Sequence, residues 1–155
     1  MAPTQISTCL WFDGNGLEAA EFYVSLFADS RIDNVSPGPD GAPLMIHFTL
    51  LGRPFQALNG GPQFPFTEAV SLVVPCGGQA EVDHYWDALT EGGEESMCGW
   101  LKDRFGLSWQ IVPDELGEIL GDPDPERAAR AMEAMLQMRK LDVAAMRAAA
   151  DGTSA

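Results

Sequence analysis

Two glutamines stand in similar segments of the chain, and both are residue types that orient bound molecules. Gln56 lies in GRPFQAL, and Gln110 lies in GLSWQIV. An amide side chain offers a hydrogen-bond donor and an acceptor without carrying charge. If both segments are strands, period-two alternation places Gln56 on the face opposite Phe55, and Gln110 on the face opposite Trp109. We expect the aromatic faces to pack under helices and the glutamines to point into a cavity that a curved sheet encloses.

The predicted elements around the glutamines occur twice in the same order. The overlay of EFYVSLF on DHYWDAL supports the overlay of GRPFQAL on GLSWQIV, which indicates an internal duplication of a β-α-β-β-β module. Apolar periodicity and turn residues predict a strand at 5–12, a helix at 17–27, and strands at 31–35, 43–51 and up to residue 58, and then a strand at 69–74, a helix at 79–90, and strands at 96–101 and 107–112.

The domain organisation predicted from this order is one α+β domain followed by a helical tail. The domain spans residues 1–124 and contains the two modules, at about 5–62 and 66–113. The tail, 125–155, follows a GDPDP stop, and its segment 126–150 has the pattern of one long amphipathic helix, bent near Asp142, with four methionines. Five basic and four acidic residues follow Pro125, so the acidity lies in the domain. We expect the tail to pack across a homodimer, against the acidic body of the other subunit.

Composition and charge limit the partners. The chain has 155 residues, a formal net charge of −14 and 46% hydrophobic residues. An acidic surface repels nucleic acid and anionic membranes, so we expect neither as a partner. The start MAPTQIST lacks the basic and apolar segments of a secretion signal, which favours a cytoplasmic location. The three cysteines, Cys9, Cys76 and Cys98, lack metal-site spacing, and we expect reduced thiols that act as buried small hydrophobic residues.

Four blocks of sequence together resemble a known family. LWFDGNGLEAAEFY, FQALNGGPQFPF, CGWLKDRFGLSWQIVP and DPDPERAARAMEAMLQMRKLD, in this order, resemble the PhnB-like branch of the vicinal oxygen chelate superfamily, which includes glyoxalase I, extradiol dioxygenases and bleomycin-resistance proteins. The resemblance runs from about residue 5 to residue 146. It implies paired βαβββ modules that form a curved, cavity-enclosing mixed sheet, and a homodimer.

The resemblance also implies where a divalent metal would bind in metal-dependent relatives, whose ligands come from the first and last strand of each module. The last-strand positions correspond to Gln56 and Gln110, and the first-strand positions correspond to Thr8 and Ala69. Because these side chains supply at most neutral oxygen, they do not match the anionic oxygen or imidazole that such ions prefer. We therefore predict no metal and no other cofactor at these degenerate positions.

Other candidate residues have competing structural roles. His47, on the strand predicted at 43–51, could face the cavity, whereas His84 is expected on the surface or packing side of a helix. Glu68 would become a ligand only if the strand slipped by one residue. The expected ligand-binding set is therefore Thr8, His47, Gln56, Asn59 and Gln110, and no catalytic residue is assigned.

Three functions are compatible with the sequence. The first is a homodimer without metal that binds a small organic molecule in the sheet cavity. The second is a glyoxalase-like or dioxygenase-like enzyme in which Gln56 and Gln110 hold a metal weakly, with His47 or Glu68. The third is an interaction module that acts through the Met-rich tail. A methyltransferase is not expected, because the sequence has no glycine-rich nucleotide-binding βαβ unit.

Overall fold

Each half of the chain folds as a strand, a helix and three further strands. A computed structural model describes residues 6–153 and divides the chain into two compact units between Phe66 and Thr67. In the first unit the elements are β1 (Thr8–Phe12), α1 (Gly16–Leu26), β2 (Arg31–Pro37), β3 (Pro43–Leu50) and β4 (Arg53–Asn59). In the second unit they are β5 (Ser71–Cys76), α2 (Gln79–Thr90), β6 (Glu94–Glu95), β7 (Trp100–Lys102), β8 (Ser108–Pro113), α3 (Leu116–Leu120), α4 (Pro125–Met135) and α5 (Val143–Ala150).

The two sheets have the same topology. Their strand orders are β1-β4-β3-β2 and β5-β8-β7-β6, so the first strand of each unit pairs with the last strand. That pairing is parallel in both sheets, whereas the hairpin next to it is antiparallel. The α+β class and the paired βαβββ modules expected from the sequence are therefore confirmed. The first strand of the second module begins at Ser71, two residues later than expected.

In the first unit, α1 covers one face of the sheet. The helix presents Ala19, Ala20 and Tyr23, which are all fully buried. The facing strand residues alternate with polar ones, as in a sheet that is buried on one side. On that side lie Leu10, Phe12, Ile46, Phe48, Leu50 and Ala57. Burial of each large apolar side chain contributes about 1.5–3 kcal/mol. The helix therefore fixes which face of the sheet remains for binding.

The second unit repeats this packing with larger side chains. Val82, Trp86 and Leu89 form the buried stripe of α2, as their helical spacing predicts. They share a core with Trp109 and Ile111 of β8, which are also buried. The expectation that Trp109 is a core residue beneath a helix is confirmed. Gln110, between these two residues, belongs to the opposite face.

A buried carboxylate fixes the turn between β7 and β8. Asp103 is only 3% exposed, and its Oδ1 accepts hydrogen bonds from the backbone N–H groups of Phe105 and Leu107 at 2.9 and 3.1 Å. Its Oδ2 accepts from the indole Nε1 of Trp109 at 2.8 Å. A buried charge is tolerated when hydrogen bonds replace its hydration. Asp103 therefore links the turn to the core beneath α2.

The tail consists of two helices, and the expectation of one long helix at 126–150 was wrong. After α4 ends at Met135, an irregular segment at 136–142 precedes α5. The carbonyls of Met138 and Arg139 accept hydrogen bonds from the N–H groups of Cys98 and Gly99 at 2.7 and 2.8 Å. Carbonyls that point out of the tail toward Cys98 and Gly99 do not lie along a helix axis, so the helix is interrupted there. The expected bend near Asp142 corresponds to the start of α5, where this residue is the N-cap.

The tail packs on its own unit. The amide of Gln79, in α2, accepts from the N–H of Val143 and donates to the carbonyl of Leu141, both at 3.0 Å. The tail helices and α3 also share an apolar cluster of their own. Its buried members are Ile119, Ala131, Leu141, Met146 and Ala150. The inner face of the tail is thus used within its own unit, and the expected dimer contact of the tail stays a prediction for its outer face.

None of the helices within residues 6–153 is both long enough and apolar enough to cross a membrane.

Substitution of Asp103 tests the buried carboxylate. We expect Asp103→Ala to lower the free energy of unfolding by about 2–4 kcal/mol, because three donors lose their acceptor in a buried turn. Urea denaturation followed by tryptophan fluorescence measures the change. Asp114→Ala, at an exposed position of the same unit, is the matched control and should stay within about 0.5 kcal/mol of the parent. Equal stability of the two variants would refute the assigned role.

Substitution of Gln79 tests the attachment of the tail. We expect Gln79→Ala to speed amide hydrogen exchange in residues 138–150, because the first turn of α5 and the carbonyl of Leu141 lose their side-chain partner. Hydrogen exchange read by mass spectrometry locates the change. Gln137→Ala, at an exposed tail position, is the control. Unchanged protection of α5 in Gln79→Ala would show that the apolar cluster alone holds the tail.

Candidate functional site

The face of the first sheet that α1 leaves uncovered carries a row of polar side chains. Gln56 of β4 pairs with Cys9 of β1 on one side and with His47 of β3 on the other. Residues directly opposite each other in neighbouring strands point to the same face. The structure therefore brings together Gln56 and His47, both predicted from the sequence, and adds Cys9. All three are at least partly exposed.

The first-strand position beside Gln56 differs from the expected one. Thr8 pairs with Phe55, and alternation places it on the face that carries buried Leu10, so it does not share the face of Gln56. Instead, Gln56 Nε2 donates a hydrogen bond to the hydroxyl of Ser7 at 3.4 Å. The expectation that Thr8 lies in the site is thus corrected: its two neighbours, Ser7 and Cys9, share the face of Gln56 instead. A shift of one residue in a strand exchanges its faces.

Asn59 has a structural role that the sequence did not reveal. Its Oδ1 accepts from the N–H of Gly16, at the start of α1, at 2.7 Å, and its Nδ2 donates to the carbonyl of Pro43 at 2.9 Å. A Cβ at Gly16 would lie only 2.7 Å from Asn59 Oδ1, so a larger residue at this position would displace the Asn59 side chain. Asn59 borders a groove of about 510 Å³ beside Pro43. Alternation along β4 places it on the face opposite Gln56, which corrects its expected membership of the same site.

The second sheet repeats the glutamine arrangement. Gln110 pairs with Val73 of β5 and Trp100 of β7. Its Nε2 donates to the hydroxyl of Ser71 at 2.9 Å. Ala69 is exposed and precedes β5, so the first-strand position of this module is Ser71 rather than Ala69.

The two glutamine–serine pairs are equivalent in position. Ser7 lies two residues before Cys9, the β1 partner of Gln56, and Ser71 lies two residues before Val73, the β5 partner of Gln110. Residues two apart on a strand share a face. The duplication therefore extends to a polar pair whose serine half was not identified from the sequence. The signal that could have found it is IST at 6–8 against VSL at 70–72, each with serine in the middle.

These pairs do not fit a divalent metal. Amide and hydroxyl oxygens are neutral, whereas Zn²⁺ and similar ions need imidazole, thiolate or carboxylate in the ligand set. Within the described residues there is no group of three or more His, Cys, Asp or Glu side chains that could hold a metal ion. The carboxylate of Glu68 is engaged elsewhere, because it pairs with Lys102 at 2.6 Å. His84 is exposed on α2, where its ring contacts Tyr85 edge-on.

Glu68 and Lys102 shift each other's titration. The hydrogen bond from Lys102 lowers the pKa of Glu68, and the same bond raises the pKa of Lys102. Both groups are therefore charged near neutral pH. For Glu68 the depressed folded-state pKa means that its stabilising contribution is present above the pKa of the unfolded chain and is lost as the pH falls through the folded-state value.

Neither Cys9 nor Cys76 is activated as a nucleophile. Partial desolvation raises the pKa of Cys9, although the residue is exposed, and burial together with nearby Glu81 and Asp114 raises the pKa of Cys76 to about 11. A raised pKa reduces the thiolate fraction that reacts at neutral pH. Cys76 is a buried apolar residue as expected, but Cys9 is exposed, which corrects the expectation that all three thiols are buried. Its place beside Gln56 makes it a reporter for binding at that face.

Comparison with known proteins supports the sequence resemblance. A family model described as 3-demethylubiquinone-9 3-methyltransferase matches residues 4–112. A PhnB protein from Bacillus cereus that carries the same methyltransferase description is 33% identical, with a TM-score of 0.66, over 71% of this chain and 99% of its own. A search of curated proteins returned no match.

More distant structures show the same fold. A protein from Pseudomonas aeruginosa is 23% identical, with a TM-score of 0.57, over 72% of this chain and 100% of its own. The fosfomycin resistance protein FosX from Listeria monocytogenes, in complex with Mn(II) and sulfate, is 16% identical, with a TM-score of 0.53, over 76% of this chain and 98% of its own. The family match over residues 4–112, the Bacillus cereus relative and the duplicated βαβββ sheets agree, and the chain belongs to the PhnB-like family of the vicinal oxygen chelate superfamily.

Proposed function

We propose that this protein is a homodimer that binds small organic molecules without a metal ion, through the amide of Gln56 in the first unit and through the amide of Gln110 in the second. The observation that carries this proposal is the repeated glutamine–serine pair on the uncovered face of each sheet. Each pair offers a neutral donor and acceptor that can exchange their mutual bond for bonds to a ligand. Such a site orients polar groups of a ligand.

Charge also favours an uncharged or cationic ligand over an anion. The net charge of −14 repels anions at long range, and the amides supply no positive charge to compensate. In the first sheet, His47 adds one further polar group in register with Gln56. The proposed ligand contacts in that unit are therefore Gln56, Ser7, Cys9 and His47, and in the other unit they are Gln110 and Ser71.

The alternatives receive less support. A metal-dependent enzyme would need ligands that neither glutamine–serine pair provides. The methyl transfer named in the family description would need a site for the methyl donor, and the sequence has no glycine-rich nucleotide-binding βαβ unit. An interaction module based on the tail methionines is disfavoured because Met146 is fully buried and Met135 and Met138 pack against the tail cluster.

A ligand screen tests the amide site. We expect polar, uncharged small molecules to raise the melting temperature of the parent protein, and we expect Gln56→Ala or Gln110→Ala to weaken binding of a hit by about fivefold or more, since each removes at least one hydrogen bond. Gln137→Ala is the matched control, because that glutamine is exposed in the tail. Hits that bind all three variants equally would refute a role for the amides.

Metal analysis in the same preparation separates the proposal from the metal-dependent alternative. Elemental analysis of the purified protein and a thermal-shift series with Ni, Zn, Mn and Fe should give neither bound metal nor a shift. Stoichiometric metal that is lost in Gln56→Ala or Gln110→Ala would contradict the proposal.

Light scattering after size exclusion tests the homodimer, and a monomer at all concentrations would contradict that part of the proposal.

Alkylation of Cys9 provides an independent measurement of the first face. Because partial desolvation raises the pKa of this thiol, we expect its labelling by iodoacetamide to be slow near neutral pH and to accelerate as the pH rises from about 7 to about 9. A screen hit that contacts Gln56 should slow this labelling, and peptide mapping locates it. Cys76 is the internal control and should remain unlabelled in the folded protein. Unchanged labelling of Cys9 at saturating ligand would place the ligand away from Gln56.

A further inference from the structure

An aromatic side chain is exposed beside the edge strand β1 of the first sheet. Phe64 is 64% exposed, and it is the only aromatic residue in the described part of the chain that is mostly exposed. Its ring contacts the indole of Trp11 in β1, with ring centroids 4.9 Å apart and ring planes at 77°. Two rings at this angle form a corner, in which a third ring can stack on one and meet the other edge-on. We call Trp11 and Phe64 the aromatic corner.

The backbone after β4 holds the indole of Trp11 in place. The indole Nε1 donates a hydrogen bond to the carbonyl of Gly61 at 2.8 Å. A Cβ at Gly60 would overlap the six-membered ring of the indole, so the backbone of this glycine packs directly against that ring. A side chain that is already fixed loses little conformational freedom when a ligand binds. Trp11 is therefore a preformed wall, and Phe64 adds exposed aromatic surface beside it.

The aromatic corner adjoins an apolar row on the uncovered face of the sheet. Trp11 pairs with Leu58 of β4, and Leu58 pairs with Met45 of β3. The next row on this face lies two residues along the same strands and carries the polar groups of Cys9, Gln56 and His47. Two residues along a strand span about 6–7 Å. The face therefore offers apolar surface and an amide at a separation of about 6–7 Å.

The charges on this face favour an uncharged ligand. Neither row contains a carboxylate, an ammonium or a guanidinium group. On β2, Arg31 and Asp33 form an ion pair with each other at 2.8 Å, so their charges offset. A charged ligand group would lose hydration here without gaining an opposite charge. An uncharged group can instead exchange hydrogen bonds with the amide of Gln56.

We propose that the first unit binds a molecule that carries a planar aromatic ring and an uncharged, amide-like polar group, with the ring in the aromatic corner and the polar group on Gln56. This inference rests on the proposed function and narrows it, because it names the class of ligand that Gln56 orients. A ligand without a ring would leave the surface of Phe64 in water. A ligand without a polar group would gain nothing from the amide.

Four probes separate the ring from the polar group. Hydrocinnamamide has both, cyclohexanepropanamide has a saturated ring, propanamide has no ring, and hydrocinnamate has a carboxylate in place of the amide. Each is titrated into the full chain, with calorimetry or ligand-observed NMR as the readout. We expect hydrocinnamamide to bind about threefold or more tightly than each of the others. Equal affinity for cyclohexanepropanamide, or no saturable binding of hydrocinnamamide, would overturn the inference.

Variants of Phe64 assign the hydrocinnamamide response to the aromatic corner. Phe64→Ala removes the exposed ring and should weaken binding by about fivefold or more, whereas Phe64→Tyr keeps a ring and should stay within about twofold of the parent. Leu51→Ala is the matched control, because it removes a side chain of the same unit that is 55% exposed. It should bind as the parent does. Unchanged affinity in Phe64→Ala would overturn the inference.

Light scattering of Phe64→Ala distinguishes a ligand contact from a contact with a second copy of the chain. If the exposed ring serves a ligand, the variant keeps the oligomeric state of the parent and loses affinity for hydrocinnamamide. If the ring serves a second copy, the variant loses the parent's oligomeric state and binds hydrocinnamamide as the parent does. The second result would overturn the inference.

Gln56→Ala separates this inference from the proposed function. If a screen hit loses affinity in Gln56→Ala but hydrocinnamamide binds Phe64→Ala as it binds the parent, the aromatic corner is refuted as a ligand site and the amide site stands. If hydrocinnamamide binding depends on Phe64 but no probe or hit depends on Gln56, the aromatic corner stands and the amide proposal fails for the first unit.

Discussion

A single helix covers one face of each four-stranded sheet, and the rest of the structure depends on this one-sided burial. Tyr23 and its alanine neighbours in α1 pack against the first sheet, and Trp86 does so in the second. Because side chains alternate along a strand, burial of one face determines the identity of the other. Gln56 comes directly after Phe55, and Gln110 comes directly after Trp109. Because Phe55 and Trp109 point to the covered face, both glutamines must lie on the uncovered one. The helices thus place the amides without touching them.

The two units achieve the same arrangement by different means. In the first unit, Asn59 connects the end of β4 to the start of α1 through Gly16. In the second unit, Asp103 holds the β7–β8 turn, and Gln79 attaches the tail to α2. These three polar side chains already hold groups of their own unit by hydrogen bonds, so they serve the fold rather than a ligand. The glutamine–serine pairs, in contrast, remain partly exposed on the uncovered faces.

The repeated module and the helix faces could be predicted from the sequence because they rest on local periodicity. The stripe of Val82, Trp86 and Leu89 and the burial of Trp109 follow from spacing alone. The face of Thr8 could not be predicted in this way. Leu10, Trp11 and Phe12 are all apolar, so the sequence does not show which of them faces the core. The burial of Leu10 and Phe12, together with the strand pairing, places Thr8 on the covered face and Cys9 on the other.

Long-range backbone contacts account for the other differences. Asn59 is a common ligand-binding residue type, and only its proximity to Gly16, 43 positions away, shows that its Oδ1 is already committed. The break in the tail depends on carbonyls at 138 and 139 that pair with Cys98 and Gly99, which no helical pattern within the tail reveals. In both cases the local sequence permits two structures, and a partner distant in sequence selects one.

The different lengths of the two glutamine–serine bonds imply unequal contributions to binding. A ligand must replace the existing bond of each amide, so the gain is the difference between two hydrogen bonds rather than the full strength of one. The Gln110–Ser71 bond is 2.9 Å long, near the optimum, whereas the Gln56–Ser7 bond is 3.4 Å long. A ligand that replaces the Gln56–Ser7 bond therefore gives up a weaker hydrogen bond. The amide of the first sheet should thus contribute more net affinity to its ligand than the amide of the second sheet.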